Sequence, residues 1–181
     1  AETGILEKQQ SVQLLYALHR LFVKADGSEL EIDPGVEDIH SQVEMMLTQT
    51  LGDLGKKIHT GRSRNDQVMV DIKLFLREEL GEIVAESRHL ALVLLEQAEK
   101  YGEVLMPGYT HMQVAMPSSF GLWLGGYAEA LADDLWFLQG IHRVVNQNPL
   151  GSAAGFGSSF PIDRELTTRL LGFDDLHISS V

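Results

Sequence analysis

Residues 63–100 read SRNDQVMVDIKLFLREELGEIVAESRHLALVLLEQAEK, and their apolar side chains recur at the three- and four-residue spacing of one helix face. This stripe runs from Val68 to Ala98, so the predicted helix covers roughly 35 residues, or about 50 Å at about 1.5 Å per residue. Ser63, followed three residues later by Asp66, is a capping signal for the start of that helix. A helix of this length must pack against partners along all of it.

A second apolar stripe follows Pro117 and predicts another long helix that ends near Asn146. Shorter helices are predicted over residues 9–24, 33–52 and 163–171, and the second of these begins with an Asp-Pro cap. No segment has a convincing strand pattern. The sequence therefore predicts an all-α fold built on an elongated bundle of long helices.

The composition excludes several classes of protein. The 181 residues carry 14 Lys+Arg against 26 Asp+Glu, and this net charge of −12 argues against nonspecific binding to nucleic acid or anionic membranes. The absence of cysteine excludes disulfides, thiolate metal sites and a cysteine nucleophile, and it fits a cytoplasmic location. No apolar run is long enough for a membrane span, and the first ten residues look like the interior of something longer rather than a signal peptide. We expect a soluble protein, and a chain that is a fragment.

The first polar loop lies directly before the long helix and reads TGRSRNDQ over residues 60–67. Free backbone amides at the helix start, two arginines and a serine meet here, and this combination suits the binding of a carboxylate. A capped helix with a solvated basic loop would show the same residues, so the local pattern leaves both interpretations open.

The second polar loop is predicted over residues 101–116 and contains His111 between Thr110 and Gln113. A histidine in such a loop is suited to proton exchange near neutral pH, although a structural histidine is the commoner case. The third loop, residues 148–157, lacks the lysine and the strand of a phosphate-binding loop, so close helix packing is its expected use. Because no His-Glu-x-x-His pattern or cysteine pair occurs, we expect no metal, and we expect no cofactor.

Several strings in these loops resemble one known family. HTGRSRNDQ at residues 59–67 is similar to the signature of argininosuccinate lyases, which belong to the fumarase/aspartase superfamily. PGYTHMQ at 107–113 resembles the family's PGYTHLQ loop, and EDIH at 37–40 resembles a further family segment. PLGS at 149–152 and FPIDRE at 160–165 match strings that follow. The resemblance spans essentially the whole chain.

The resemblance implies a carbon–nitrogen lyase that converts argininosuccinate to L-arginine and fumarate by β-elimination, in arginine biosynthesis. It assigns His111 to proton transfer and leaves open whether this residue is base, acid or orienter. It assigns substrate binding to five residues: Ser63, Arg64, Asn65, Thr110 and His40.

The resemblance also implies a domain division and an assembly. Residues 1–62 would be the remainder of a small helical N-terminal domain, and residues 63–181 the first, truncated part of a fumarase/aspartase-type central bundle. The family forms homotetramers whose active sites combine loops of three subunits, and its other proton-transfer serine would lie downstream of Val181. We therefore expect the isolated chain to be inactive and to self-associate. Met116, where the family usually has glutamine, is a departure that affects packing more than chemistry.

Two other functions remain as alternatives. One is a noncatalytic scaffold like the lens crystallins that share the family's fold. The other is a lyase for adenylosuccinate, aspartate or malate.

Overall fold

A computed structural model describes residues 1–180, and most of them are helical. The helices are α1 (Lys8–Asp26), α2 (Ile39–Leu51), α3 (Asp53–Lys56), α4 (Arg64–Lys100), α5 (Phe120–Val145) and α6 (Arg164–Leu171), with a 3₁₀ turn at Lys57–His59. The strands are β1 (Leu105–Thr110), β2 (Gln113–Ser119), β3 (Gln147–Asn148) and β4 (Asp175–Leu176). The predicted fold class, a helical fold of the fumarase/aspartase type, is confirmed.

The chain divides into two compact units. Unit 1 comprises residues 1–70, residues 148–172 and the described residues from 176 onward, and unit 2 comprises residues 71–147 and 173–175. The predicted domain boundary between residues 62 and 63 stays a prediction.

The apolar core of unit 1 lies where α1 meets α2. Leu14, Ala17 and Leu47 are buried there, and six partly buried side chains pack around them: Leu6, Leu18, Leu21, Val43, Leu51 and Ile58. Gly55 of α3 lies so close to α2 that an added Cβ would be 2.4 Å from the carbonyl carbon of Leu47. Only glycine fits this contact. The close packing of Gly55 against α2 therefore positions α3, after which the chain continues into the polar loop before α4.

Unit 2 contains a feature that the sequence analysis missed. Residues predicted as a loop form an antiparallel hairpin, in which β1 pairs with β2 from Leu105 opposite Ser119 to Thr110 opposite Gln113. The prediction that the chain has no strand is therefore wrong. Helix α5 consequently starts at Phe120 rather than at Pro117, and the Ser119 hydroxyl caps it by accepting a hydrogen bond from the Leu122 amide at 3.2 Å.

The C-terminal end of α5 is capped by cations on α4. Lys73 Nζ donates to the Val144 carbonyl at 3.0 Å, and Arg77 donates to the Asn146 side chain at 3.2 Å. Positive charge at the last turn of a helix offsets its dipole and satisfies carbonyls that have no partner in the helix.

No helix among residues 1–180 combines the length and apolar character that crossing a membrane requires.

Candidate active site

The polar loop before α4 forms a tight capped turn. The Ser63 amide donates to Asp66 Oδ1 at 2.8 Å, and the Ser63 hydroxyl accepts from the Asn65 amide at 3.3 Å. Asp66 thus satisfies the amide of the capping residue, which is one half of a capping box. The turn holds Ser63 partly buried and Asn65 exposed at the helix start.

Asp66 also holds a second loop against this turn. The residue is fully buried, and its Oδ2 accepts hydrogen bonds from the Gly151 amide at 2.8 Å and the Ala153 amide at 3.1 Å. Three backbone N–H groups therefore satisfy one buried carboxylate, which is the condition under which a charge can be buried at low cost. Asp66 therefore joins the turn at residues 63–66, called the signature turn below, to the loop that contains the PLGS string, and both lie in unit 1.

Arg164 binds the same loop through its carbonyl groups. Its guanidinium donates to the carbonyls of Asn148, Pro149 and Leu150, and also to that of His177. Burial lowers the pKa of Arg164, and the charge of Asp66 acts in the opposite direction. Asp66 thus accepts hydrogen bonds from the backbone amides of this loop, and Arg164 donates hydrogen bonds to its backbone carbonyls.

Arg64 connects the signature turn to α2. Its Nε lies 2.7 Å from Asp38 Oδ2, one terminal nitrogen donates to the Ser41 hydroxyl at 2.9 Å, and the other donates to Gln67 Oε1 at 2.9 Å. Three of the five N–H groups of the guanidinium are therefore engaged within the chain. The HTGRSRNDQ and EDIH strings, which the sequence could only identify separately, meet at this ion pair.

Asp38 caps α2 as well as binding Arg64. Its Oδ1 accepts from the Ser41 amide at 2.8 Å, and this hydrogen bond is the largest cause of a lowered pKa at Asp38. The charges of Arg64 and His40 lower it further. His40, the second residue of α2, therefore lies in the electrostatic surroundings of the Arg64–Asp38 pair.

The FPID segment packs directly on the signature turn. Gly61 has a φ of +67°, and a Cβ added there would lie 3.1 Å from Ile162 Cγ2 and 3.3 Å from Phe160 Cβ. A side chain at this position would strain the backbone and crowd both residues. The glycine thus allows residues 160–162 to cover the turn, next to an open cavity of about 520 Å³ that Arg62 helps to line.

Thr110 and His111 lie in unit 2, at the tip of the hairpin. His111 and Met112 form a two-residue turn with φ values of +49° and +63°, between the paired residues Thr110 and Gln113. Such turns favour Asn-Gly, because side-chain-bearing residues other than Asn and Asp are strained in the left-handed region. A strained backbone that holds an exposed histidine is typical of a functional position.

The candidate residues therefore fall into two groups. Unit 1 brings Ser63, Arg64 and Asn65 together with His40, whereas Thr110 and His111 belong to unit 2. Asp38 and Arg164 were not predicted as part of the site, and Asp66 was predicted only as a cap. The sequence signals for Asp66 were its three-residue spacing from Ser63 and its place in the HTGRSRNDQ string. In the described part of the chain, no group of three His, Asp or Glu side chains is placed to hold a metal ion.

The structure superposes on an EDDS lyase variant with bound fumarate, with a TM-score of 0.88 and 31% identity over 99% of this chain and 35% of that one. A family model described as "Lyase" matches residues 1–179. The chain belongs to this lyase family.

Two curated relatives indicate which lyase within the family the chain resembles. The chain is 58% identical to an argininosuccinate lyase of Phocaeicola vulgatus and 57% identical to one of Bacteroides fragilis, in each case over 98% of this chain. The predicted resemblance to argininosuccinate lyases is confirmed. The chain spans about 40% of the length of these relatives.

Proposed function

We propose that the protein to which this chain belongs is an argininosuccinate lyase, which releases L-arginine and fumarate by β-elimination in the cytoplasm as a step of arginine biosynthesis. The observation that carries this proposal is the uninterrupted HTGRSRNDQ string at residues 59–67, in a chain 58% identical to a curated lyase of that name. Because the chain spans about 40% of that relative, the activity is proposed for the whole protein, and the isolated chain is expected to be inactive.

The elimination needs three chemical operations. A base removes a proton from the succinyl carbon, the adjacent carboxylate takes up the resulting negative charge as an aci-carboxylate, and an acid assists the departure of the guanidinium nitrogen. Donors that already point to the place where charge develops usually supply the largest share of such catalysis. The site must therefore present fixed N–H and O–H groups to a carboxylate.

The signature turn supports this role. Ser63 and Asn65 lie at the N-terminus of a 37-residue helix, where backbone amides and the helix dipole favour an anion. Arg64 has two N–H groups left after binding Asp38, Ser41 and Gln67. We assign substrate binding to Ser63, Arg64 and Asn65, and also to Thr110 in the PGYTHMQ string and His40 in the EDIH string.

His111 is proposed to transfer or orient one of the moving protons. Asparagine adopts left-handed backbone conformations readily, so His111→Asn should keep the hairpin turn while removing the titratable group. In the whole enzyme, turnover should fall by about 10²-fold or more with a much smaller change in KM. An unchanged rate with a folded variant would remove His111 from the mechanism.

Fumarate release is the direct test of the activity. Ultraviolet detection of fumarate formed from argininosuccinate should show turnover by the product of the uninterrupted gene. One structural match favours a second candidate, since EDDS lyase has the same fold at 31% identity. Turnover of that enzyme's substrate, or of adenylosuccinate, aspartate or malate, in place of argininosuccinate would select another lyase, and turnover of none of them would favour a crystallin-like scaffold.

Self-association is part of the proposal. Large apolar side chains are exposed on the long helices, among them Phe75 of α4 and Leu122, Trp136 and Phe137 of α5, the last three at more than 70%. Apolar side chains of this size on neighbouring turns indicate contacts with further protein. A homotetramer with shared active sites would cover them. Static light scattering that gives a stable monomer for the isolated chain would contradict this.

A further inference from the structure

The hairpin that carries His111 meets the ends of α4 and α5 at two glycines. Gly102 follows the last turn of α4, and Gly121 is the second residue of α5. We propose that the close contact between Gly102 and Gly121 fixes the direction of the hairpin, which makes Gly121 a positioning residue for His111. The inference rests on the proposed lyase function, because Gly121 acts through the histidine to which that function assigns proton transfer.

The contact between the two glycines leaves no room for a side chain. A Cβ added at Gly121 would lie 2.8 Å from the Gly102 Cα, 3.1 Å from the Ala98 carbonyl oxygen and 3.4 Å from the Gly102 carbonyl oxygen. All three neighbours are backbone atoms, so no side chain can turn aside to make room. The observed approach of α5 to the end of α4 therefore requires glycine at position 121.

Hydrogen bonds connect the base of the hairpin to the same contact. The Phe120 amide donates to the Val104 carbonyl at 3.0 Å, and the Val104 amide donates to the Tyr101 carbonyl at 3.1 Å. Leu105 and Ser119 form the first pair of the hairpin. The turn after α4, the first residue of α5 and both strands are thus linked within a few residues of the glycine contact. A displacement of the start of α5 is consequently passed to the whole hairpin.

Beyond its base, the hairpin has little support from the described chain. None of residues 105–119 is buried, and in β2 only Ser118 and Ser119, next to α5, are even partly so. Thr110 and His111 at the tip are exposed. Since no buried side chain of the hairpin anchors the tip, the position of His111 depends on the direction that the base gives to the strands.

The length of the hairpin makes a small displacement at its base important. A strand rises about 3.3 Å per residue, so His111 lies roughly 20 Å along the chain from Leu105. Ordinary van der Waals contact begins at 3.4 Å, so a Cβ placed 2.8 Å from the Gly102 Cα forces a movement of about 0.6 Å. A tilt that begins at the base moves the tip farther than the base. Misplacement of a reacting group by about 1 Å can lower a rate about 10²-fold.

Steady-state kinetics of the full-length enzyme with argininosuccinate test this assignment. Gly121→Ala should lower kcat by about tenfold or more, and the change in KM should be smaller. Gly126→Ala is the matched control, because it makes the same substitution at an exposed glycine of α5 where an added Cβ meets nothing within 4 Å. Its kcat should equal that of the wild type. Equal kcat in Gly121→Ala and Gly126→Ala would overturn the proposal.

A double-mutant cycle with His111→Asn separates positioning from a general loss of structure. If Gly121 acts through His111, adding Gly121→Ala to His111→Asn should change kcat by less than about twofold, because the group to be positioned is already gone. A general loss of structure would multiply the two losses. Multiplied losses would therefore count against a positioning role.

A second variant covers the case in which Gly121→Ala does not fold. A Cβ added at Gly102 would lie 3.2 Å from the Ala98 carbonyl oxygen, so Gly102→Ala moves the same junction by only a few tenths of an ångström. It should lower kcat less than Gly121→Ala does. A folded Gly102→Ala with the kcat and the amide exchange of the wild type would overturn the proposal.

Hydrogen exchange of the full-length protein gives a readout that needs no turnover. The amides of Val104 and Phe120, which form the hydrogen bonds at the base, should exchange about tenfold faster or more in Gly121→Ala than in Gly126→Ala. Faster exchange in a protein whose wild type does not turn over argininosuccinate would refute the lyase function alone. Turnover by the wild type, with neither a lower kcat nor faster exchange in Gly121→Ala, would refute the inference alone.

Discussion

Replacing Asp66 by alanine should release the loop at residues 148–153 from the signature turn. Asp66 is fully buried and accepts three backbone hydrogen bonds at 2.8, 2.8 and 3.1 Å. Hydrogen bonds to a charged group contribute about 1.5–3 kcal/mol each, so the loss of three should cost roughly 4–5 kcal/mol even if each is at the low end. This is a large fraction of the stability of an ordinary domain, about 5–15 kcal/mol.

Hydrogen exchange followed by mass spectrometry measures this effect locally. A cost of that size corresponds to roughly a 10³-fold rise in opening, because about 1.4 kcal/mol is tenfold in an equilibrium constant. The amides of Ser63, Gly151 and Ala153 should therefore exchange on the order of 10³ times faster in Asp66→Ala than in the wild type.

The control is Asp134→Ala, which removes an exposed carboxylate from α5 and should leave these amides protected. Asp66→Asn is informative as well, because one of its two acceptor oxygens becomes an N–H donor that faces other N–H donors. The amide exchange rates of Asp66→Asn should therefore be closer to those of Asp66→Ala than to those of the wild type. Full protection of Gly151 and Ala153 in Asp66→Ala would refute the reasoning, since another group would then be holding the loop.

Three further substitutions test other parts of the structure. Met112→Gly should raise the thermal midpoint, because Met112 has a φ of +63° and is 97% exposed. Glycine should relieve roughly 0.5–1 kcal/mol of backbone strain there. A lower midpoint would show that Met112 has contacts outside this chain. Gly61→Ala should lower the midpoint, because its Cβ would lie 3.1 Å from Ile162 at a φ of +67°, and an unchanged midpoint would contradict the close packing there. Burial lowers the pKa of Lys73, so the unfolded chain binds more protons below the ordinary lysine value of 10.5, and stability should rise with pH toward that value. Lys73→Met should remove this rise and Lys8→Met should keep it, as measured by denaturation midpoints across that pH range.

The sequence was sufficient for the elements whose signals are local. Helix α6 is capped by Asp163, which accepts from the Leu166 amide at 2.8 Å, and it ends at Gly172 in the left-handed conformation. Both signals lie within three residues of the helix end that they mark. The long helices α4 and α5 followed equally from their apolar periodicity.

Helix α2 shows how a local signal can mislead. The Asp33-Pro34 pair looks like a cap, but the helix starts six residues later, at Ile39. The amide of Asp33 donates to Gln42 Oε1, and the Gln42 amide donates to the Asp33 carboxylate, so Asp33 is engaged by a buried glutamine of α2. Asp38 caps the helix instead. No sequence pattern near residue 33 indicates the contact between Asp33 and Gln42.

The hairpin was missed because its sequence lacks the pattern of a paired strand. Two prolines and a glycine interrupt it, its side chains are largely exposed on both faces, and the pairing is irregular between Pro107 and Tyr109. Its turn consists of His111 and Met112, neither of which favours the left-handed backbone found there. Local preferences therefore argue against the turn that the structure contains, which is the expected situation where a functional side chain is held in place.

The signature string divides its residues between two tasks. Asp66 and Arg64 face the protein, where they bind the loop at 148–153 and the start of α2, while Asn65 is exposed and Ser63 is partly so. A substitution at Asp66 or Arg64 would consequently change ligand affinity through the position of the turn, with or without a direct contact to the ligand. Loss of activity alone cannot separate these tasks, because both end in a misplaced donor. Hydrogen exchange at the loop amides separates the two tasks. Protection of these amides should be lost in Asp66→Ala, and it should be retained in a variant such as Arg62→Gln, because the Arg62 side chain forms no hydrogen bond within the described chain.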